Sequence, residues 1–144
     1  MESERLSYVE IYLDLAIEKL DVAHELLNLS RFDDTVSKAY YAMFYAAGPA
    51  LLTAGIVDVH KHAGVISFFG EQFVKTGKVD RRYSRILSRA LDARLDADYD
   101  PRKRAGREDA EQAIARAEVF LAKAREIVAE AVGPEVMGDV GWSA

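Results

Sequence analysis

The chain has 144 residues, a mass of 16.0 kDa and a net charge of −5, with 50% hydrophobic and 30% charged residues. That is one domain's worth of chain with ample apolar content for a core, which excludes a disordered polypeptide. It has no Cys, so disulfides, thiolate metal sites and cysteine nucleophiles are excluded, and its acidic balance is a poor start for broad nucleic-acid binding, which needs surplus Lys and Arg.

Five helices are expected in chain order. The first runs from about Glu4 to Asn28, where Leu6, Val9, Leu13, Ala16, Leu20, Ala23 and Leu27 recur at alternating spacings of three and four. Ser3 is suited to cap it, and Leu29-Ser30-Arg31 reads as a turn. The second runs from about Phe32 to Ala54, with alanines and aromatics widening its stripe until most faces are apolar. Such a helix sits centrally and touches several neighbours. Pro49 lies inside it, where a missing N–H and a steric clash predict a kink, and Gly55 suits its end.

The third helix is shorter, from about His60 to Lys75, with Val65, Phe69 and Phe73 on its stripe and Gly77 ending it. The fourth starts after the N-cap Asp80 and carries Tyr83, Leu87, Leu91 and Leu95 to about Ala97. Tyr99-Asp100-Pro101 breaks it, and residues 99–106 read as a polar loop. The last runs from about Arg107 to Ala131, with Glu108 and Asp109 placed to meet its dipole. Residues 133–144, with Gly133, Pro134 and Trp142, read as a flexible tail. No stretch alternates like a strand, and no repeat or linker interrupts the pattern. The expected fold is all-α, an up-and-down bundle of four long helices plus one shorter helix, in a single domain over residues 1–132. No apolar run approaches the roughly 20 residues of a membrane span. The N-terminus lacks the layout of a signal peptide, so a cytoplasmic protein is expected.

The charge is unevenly spread. Between Lys75 and Arg107 eleven Lys or Arg stand against five Asp, a local balance of +6 inside an otherwise acidic chain.

At the second helix the sequence stops being generic. Ala39-Tyr40-Tyr41-Ala42-Met43-Phe44-Tyr45-Ala46-Ala47 resembles the signature of the HEPN family, the domain named for higher eukaryotes and prokaryotes nucleotide-binding. Three further blocks agree in order: His62-Ala63-Gly64-Val65-Ile66 with Phe69 and Phe73-Val74-Lys75-Thr76-Gly77; Arg94-Leu95-Asp96-Ala97-Asp98-Tyr99; and Ala110 through Phe120. Together they cover roughly residues 5–130. The resemblance implies a helical bundle that forms a homodimer. It also implies a genomic neighbour of minimal nucleotidyltransferase type, often as a toxin–antitoxin pair. Many members are metal-independent ribonucleases, with Arg, four to six residues, then His acting at a dimer cleft. Here His24, His60 and His62 are the only histidines, and none follows an Arg at that spacing. The standard nuclease motif is absent.

Several residues are candidates for a site. Tyr40, Tyr41 and Tyr45 fall within two turns, either as core with hydroxyls at its rim or as a stacking platform for a base. His62 is the candidate general acid or base, since an ordinary pKa of about 6.5 suits both roles; a capping role is the alternative. Arg94 and Asp98 stand at i,i+4, consistent with an intrahelical ion pair or with an arginine fork on phosphate beside Tyr99. Arg85, with Arg81, Arg82, Arg89 and Arg102-Lys103-Arg104, completes the basic segment as a solvated face or a phosphate-facing one. Without Cys or a helical His-x-x-x-His, no metal and no cofactor is expected. The leading functional expectation is a dimeric protein that binds nucleotide or RNA phosphate and works with a nucleotidyltransferase-type partner. The alternative is a non-catalytic dimerisation and partner-docking module, which the missing Arg-to-His motif favours over an active ribonuclease.

Overall fold

The computed structural model describes residues 3–57 and 62–133. His60 and the tail from Pro134, with Trp142, lie outside the described residues. Within them the protein is all-α, without a strand: α1 (Ser3–Asn28), α2 (Phe32–Thr53), α3 (His62–Phe69), α4 (Arg81–Tyr99) and α5 (Arg107–Val132). Four are long and α3 is short, as the periodicity predicts.

The three-four stripe of α1 is its buried face. Val9, Leu13, Ala16 and Ala23 have no exposed surface. α2 is the central helix and packs against all four others. Its small residues Ala39, Ala42, Ala46, Ala47 and Ala50 are wholly buried, which lets neighbouring helices approach closely. α2 runs through Gly48 and Pro49 without interruption. Gly48 makes room for α1: a Cβ there would stand 3.0 Å from the Tyr8 hydroxyl. Thr35, the one buried polar residue described, donates its hydroxyl to the Arg31 carbonyl at 2.8 Å and so leaves nothing unsatisfied.

Ends follow local chemistry. Gly55 and Gly77 adopt φ of +84° and +80°, the left-handed geometry that glycine takes without a Cβ clash, where the sequence places helix stops. Asp80 caps α4 by accepting from the Arg82 N–H at 2.8 Å. α4 continues to Tyr99, two residues beyond its expected end. Proline disfavours helical geometry in its immediate predecessor, and Asp100 is extended, at φ −119° and ψ 97°. α3 is followed without a break by a π-turn over Gly70–Val74, closed by the Lys75 N–H on the Gly70 carbonyl at 2.9 Å. The Phe69 and Phe73 rings meet at a tilt with centroids 5.1 Å apart, and Phe69 meets Phe120 of α5 at 5.3 Å, which anchors this short element to the body.

Candidate functional site

Adjacent residues on an α-helix point about 100° apart. Tyr40 and Tyr41 of α2 therefore face different surroundings: Tyr40 is 1% exposed, and Tyr41 is half-buried. α3 begins with His62 laid over this part of α2. Its ring lies 4.3 Å from Phe44, 5.5 Å from Tyr40 and 5.9 Å from Tyr41. The Tyr40 hydroxyl and His62 Nδ1 are 2.6 Å apart. Burial pushes the Tyr40 phenol far up, so that it stays protonated. Burial, and then the Arg94 charge, holds the His62 imidazolium below its ordinary range. Both shifts favour a neutral pair in which the Tyr40 O–H donates to Nδ1 and Nε2 carries the ring proton.

Arg94 reaches the same place from α4, with its side chain only 13% exposed. Its Nη2 donates to the Tyr41 hydroxyl at 2.8 Å, and its guanidinium carbon stands 5.2 Å from the Tyr41 ring centre. The Nε is 3.0 Å from Asp98 Oδ2, but its buried N–H is not aligned for a hydrogen bond, so that contact is a charge pair. Asp98 also accepts from the Ser37 hydroxyl at 3.4 Å. The ring of Tyr99, 71% exposed, lies 5.9 Å from the Arg94 guanidinium carbon.

The candidates His62, Arg94, Asp98 and Tyr99 thus converge around Tyr41, drawn from three helices. Arg85 does not join them. It precedes Arg94 by nine residues, or two and a half turns of α4, which puts it on the opposite, exposed side. Two neighbours, Ser37 and Lys38, were not singled out in the sequence. Ser37 orients Asp98, Phe44 backs the His62 ring, and Lys38 holds its ammonium 5.9 Å from the Tyr41 ring centre. Lys38 stands three residues before Tyr41 and Ser37 four, so the helical period was the signal that could have found both.

Several cations of the wider basic segment are exposed but paired. Arg102 pairs with Asp100 at 3.1 Å, Lys103 with Asp96 at 3.7 Å and Arg104 with Asp33 at 3.2 Å. Arg107 donates to the Ser30 hydroxyl and stands 5.0 Å from the Phe32 ring centre, while Arg82 folds onto Tyr83 at 4.8 Å. Asp33 further accepts from the Ala105 N–H at 2.8 Å, tying the loop after α4 to the start of α2.

The cluster can do two things chemically. Guanidinium N–H groups, the His62 Nε2–H and the Tyr99 hydroxyl can meet anionic oxygens, and the ring faces of Tyr41 and Tyr99 can take a flat partner. From Tyr41 the rings continue through Tyr45 at 6.5 Å and Tyr12 at 5.9 Å to Tyr8 at 4.2 Å, a half-buried aromatic row over α2 and α1. Among the described residues, no three His, Asp or Glu stand together in a way that would hold a metal ion.

Sequence relatives identify the family. The family model of the HEPN domain matches residues 9–127. A protein of Methanocaldococcus jannaschii named "Putative toxin MJ0605" is 35% identical over 122 residues, covering 85% of this chain and 90% of that protein. A second from the same organism, "Putative toxin MJ0142", is 32% identical over 125 residues, covering 87% and 84%. A "UPF0332 protein" of Thermotoga maritima is 34% identical over 119 residues, covering 83% and 89%. The chain belongs to the HEPN domain family.

Proposed function

We propose that this protein is the HEPN component of a toxin–antitoxin-like pair and binds nucleotide or single-stranded RNA at the Arg94 cluster. The observation that carries the reading is the convergence of Arg94, Tyr41, His62 and Tyr99 from α2, α3 and α4. A cation already seated over an aromatic ring, with further rings beside it, suits phosphate and base together. The two relatives with toxin in their names support the pairing with an antitoxin, for which a minimal nucleotidyltransferase is the expected partner. The half-buried row Tyr8, Tyr12 and Tyr45 supports a second copy of the chain docking on α1 and α2, beside the cluster.

Arg94 and His62 lie near each other through the fold rather than through a sequence motif. That keeps a metal-independent ribonuclease in view, but the neutral, Tyr40-bound imidazole is a poor acid at neutral pH. Binding without cleavage is the reading the geometry favours. Fluorescence anisotropy with a short single-stranded RNA tests it. Arg94→Gln is expected to weaken binding about tenfold at low salt, and unchanged affinity would refute the site. The same RNA incubated with protein and a chelator tests for cleavage. Cleavage lost in His62→Ala would replace the binding reading with a catalytic one.

A further inference from the structure

α4 has a second face, adjoining the one that carries Arg94. α4 and α5 both lie along α2 but scarcely touch each other, and between them is a cavity of about 300 Å³. Small side chains keep it open: Ala90, Ala93 and Ala97 of α4 face Ala113 of α5 over a floor that includes Val36 and Met43 of α2. Larger residues at the alanine positions would fill the space. That volume falls at the small end of ligand pockets. A compact ligand fits it better than a whole nucleotide does.

The charges at the rim are unequal in kind. Asp33 and Asp96 are occupied by Arg104 and Lys103, and Asp109 accepts from the Gly106 N–H at 2.9 Å. Arg89 of α4 and Arg116 of α5, on opposite walls, have no carboxylate partner among the described residues. An apolar floor under two unpaired guanidinium groups is complementary to one class of ligand: a small molecule with a flat apolar body and a terminal anionic group. Arginine's planar fork suits carboxylate, sulfonate or phosphate oxygens.

We infer that the groove between α4 and α5 is a binding site for a small amphipathic anion, held by Arg89 and Arg116; it shares Tyr40 with the Arg94 cluster but none of that cluster's charged groups. Naphthalene sulfonate is a probe with this chemistry, and naphthalene methanol is its uncharged counterpart. Titration calorimetry on the full chain is expected to show the sulfonate binding and the alcohol binding more weakly. Arg89→Gln with Arg116→Gln removes two exposed charges and is expected to weaken sulfonate binding about tenfold. Ala93→Leu fills the groove from a helix position that tolerates leucine, and is expected to abolish binding. Arg94→Gln is expected to leave it intact. Thermal melts confirm that each variant is folded. The inference is overturned if the wild-type protein does not bind the sulfonate, if the alcohol binds as tightly, if the groove variants bind unchanged, or if Arg94→Gln loses binding.

Discussion

α2 has two unlike neighbourhoods. Toward its C-terminal end Leu52 joins Val9 and Leu13 of α1 and Val128 of α5 in a wholly apolar cluster. Near its middle, Tyr40 and Tyr41 meet His62 of α3 and Arg94 of α4 through hydrogen bonds of 2.6 and 2.8 Å. The first region buries its four central side chains and brings no charged group to them. The second holds a cation, a neutral imidazole and several ring faces in fixed positions, with Tyr99 and Tyr41 reaching solvent. One helix thus carries both stability and the site, and residues a few turns apart on it should answer mutation in different measurements.

The largest effect should come from the apolar region. Leu13→Ala is expected to cost about 2–5 kcal/mol, read as a lowered urea midpoint, because the cavity left between three helices cannot close. Below that midpoint its RNA affinity should match the wild type. Arg94→Gln reverses the pattern. Its stability loss should be about 1–2 kcal/mol from the broken Tyr41 hydrogen bond and Asp98 pair, while RNA affinity falls about tenfold. Equal losses of both properties in both variants would erase the distinction between the regions.

Smaller changes sharpen it. Tyr40→Phe keeps the ring and deletes the hydroxyl, so it should cost about 1 kcal/mol in chemical denaturation by leaving His62 Nδ1 unpartnered. Acid probes the same pair. The folded protein holds His62 below the ordinary value of about 6.5 found in an unfolded chain. The neutral ring's contribution is therefore complete above about pH 6.5 and is lost as pH falls from there through the folded value. Wild-type protein should lose more stability than His62→Gln over that window in matched urea titrations. Gly48→Ala should change stability by less than about 1 kcal/mol. The gain in helix propensity is set against a 3.0 Å approach to the Tyr8 hydroxyl, which can swing aside.

The bundle was legible because its determinants are local. The spacing of Val9, Leu13 and Ala16 names a buried face directly, and Asp80, Gly55 and Gly77 mark ends through their own backbone chemistry. The π-turn at Gly70–Val74 left no mark, because five residues of wider helix scarcely disturb a periodic pattern. At the site, the Arg94–Asp98 pair was readable from i,i+4 spacing. The Tyr40–His62 and Arg94–Tyr41 bonds, between residues 22 and 53 apart, were not, since they depend on how α3 and α4 lie across α2. The basic segment shows the opposite failure. Counting charge from Lys75 to Arg107 gives the balance but not the pairing: Asp33 of α2 and the segment's own Asp96 and Asp100 sit against Arg104, Lys103 and Arg102, which stay exposed. Of the three carboxylates, only Asp33 is one that a local count misses, because the fold brings it in from α2.

The most direct test of ligand binding at this cluster is a nuclear magnetic resonance titration of the full chain with a short single-stranded RNA, following the His62 ring and the Arg94 side-chain N–H signals. Binding there predicts that both sets shift together and saturate, with Leu13 and Val128 methyl signals unmoved, and that the His62 shifts largely vanish in Arg94→Gln. Shifts confined to other surfaces, or His62 shifts that persist unchanged in that variant, would contradict it.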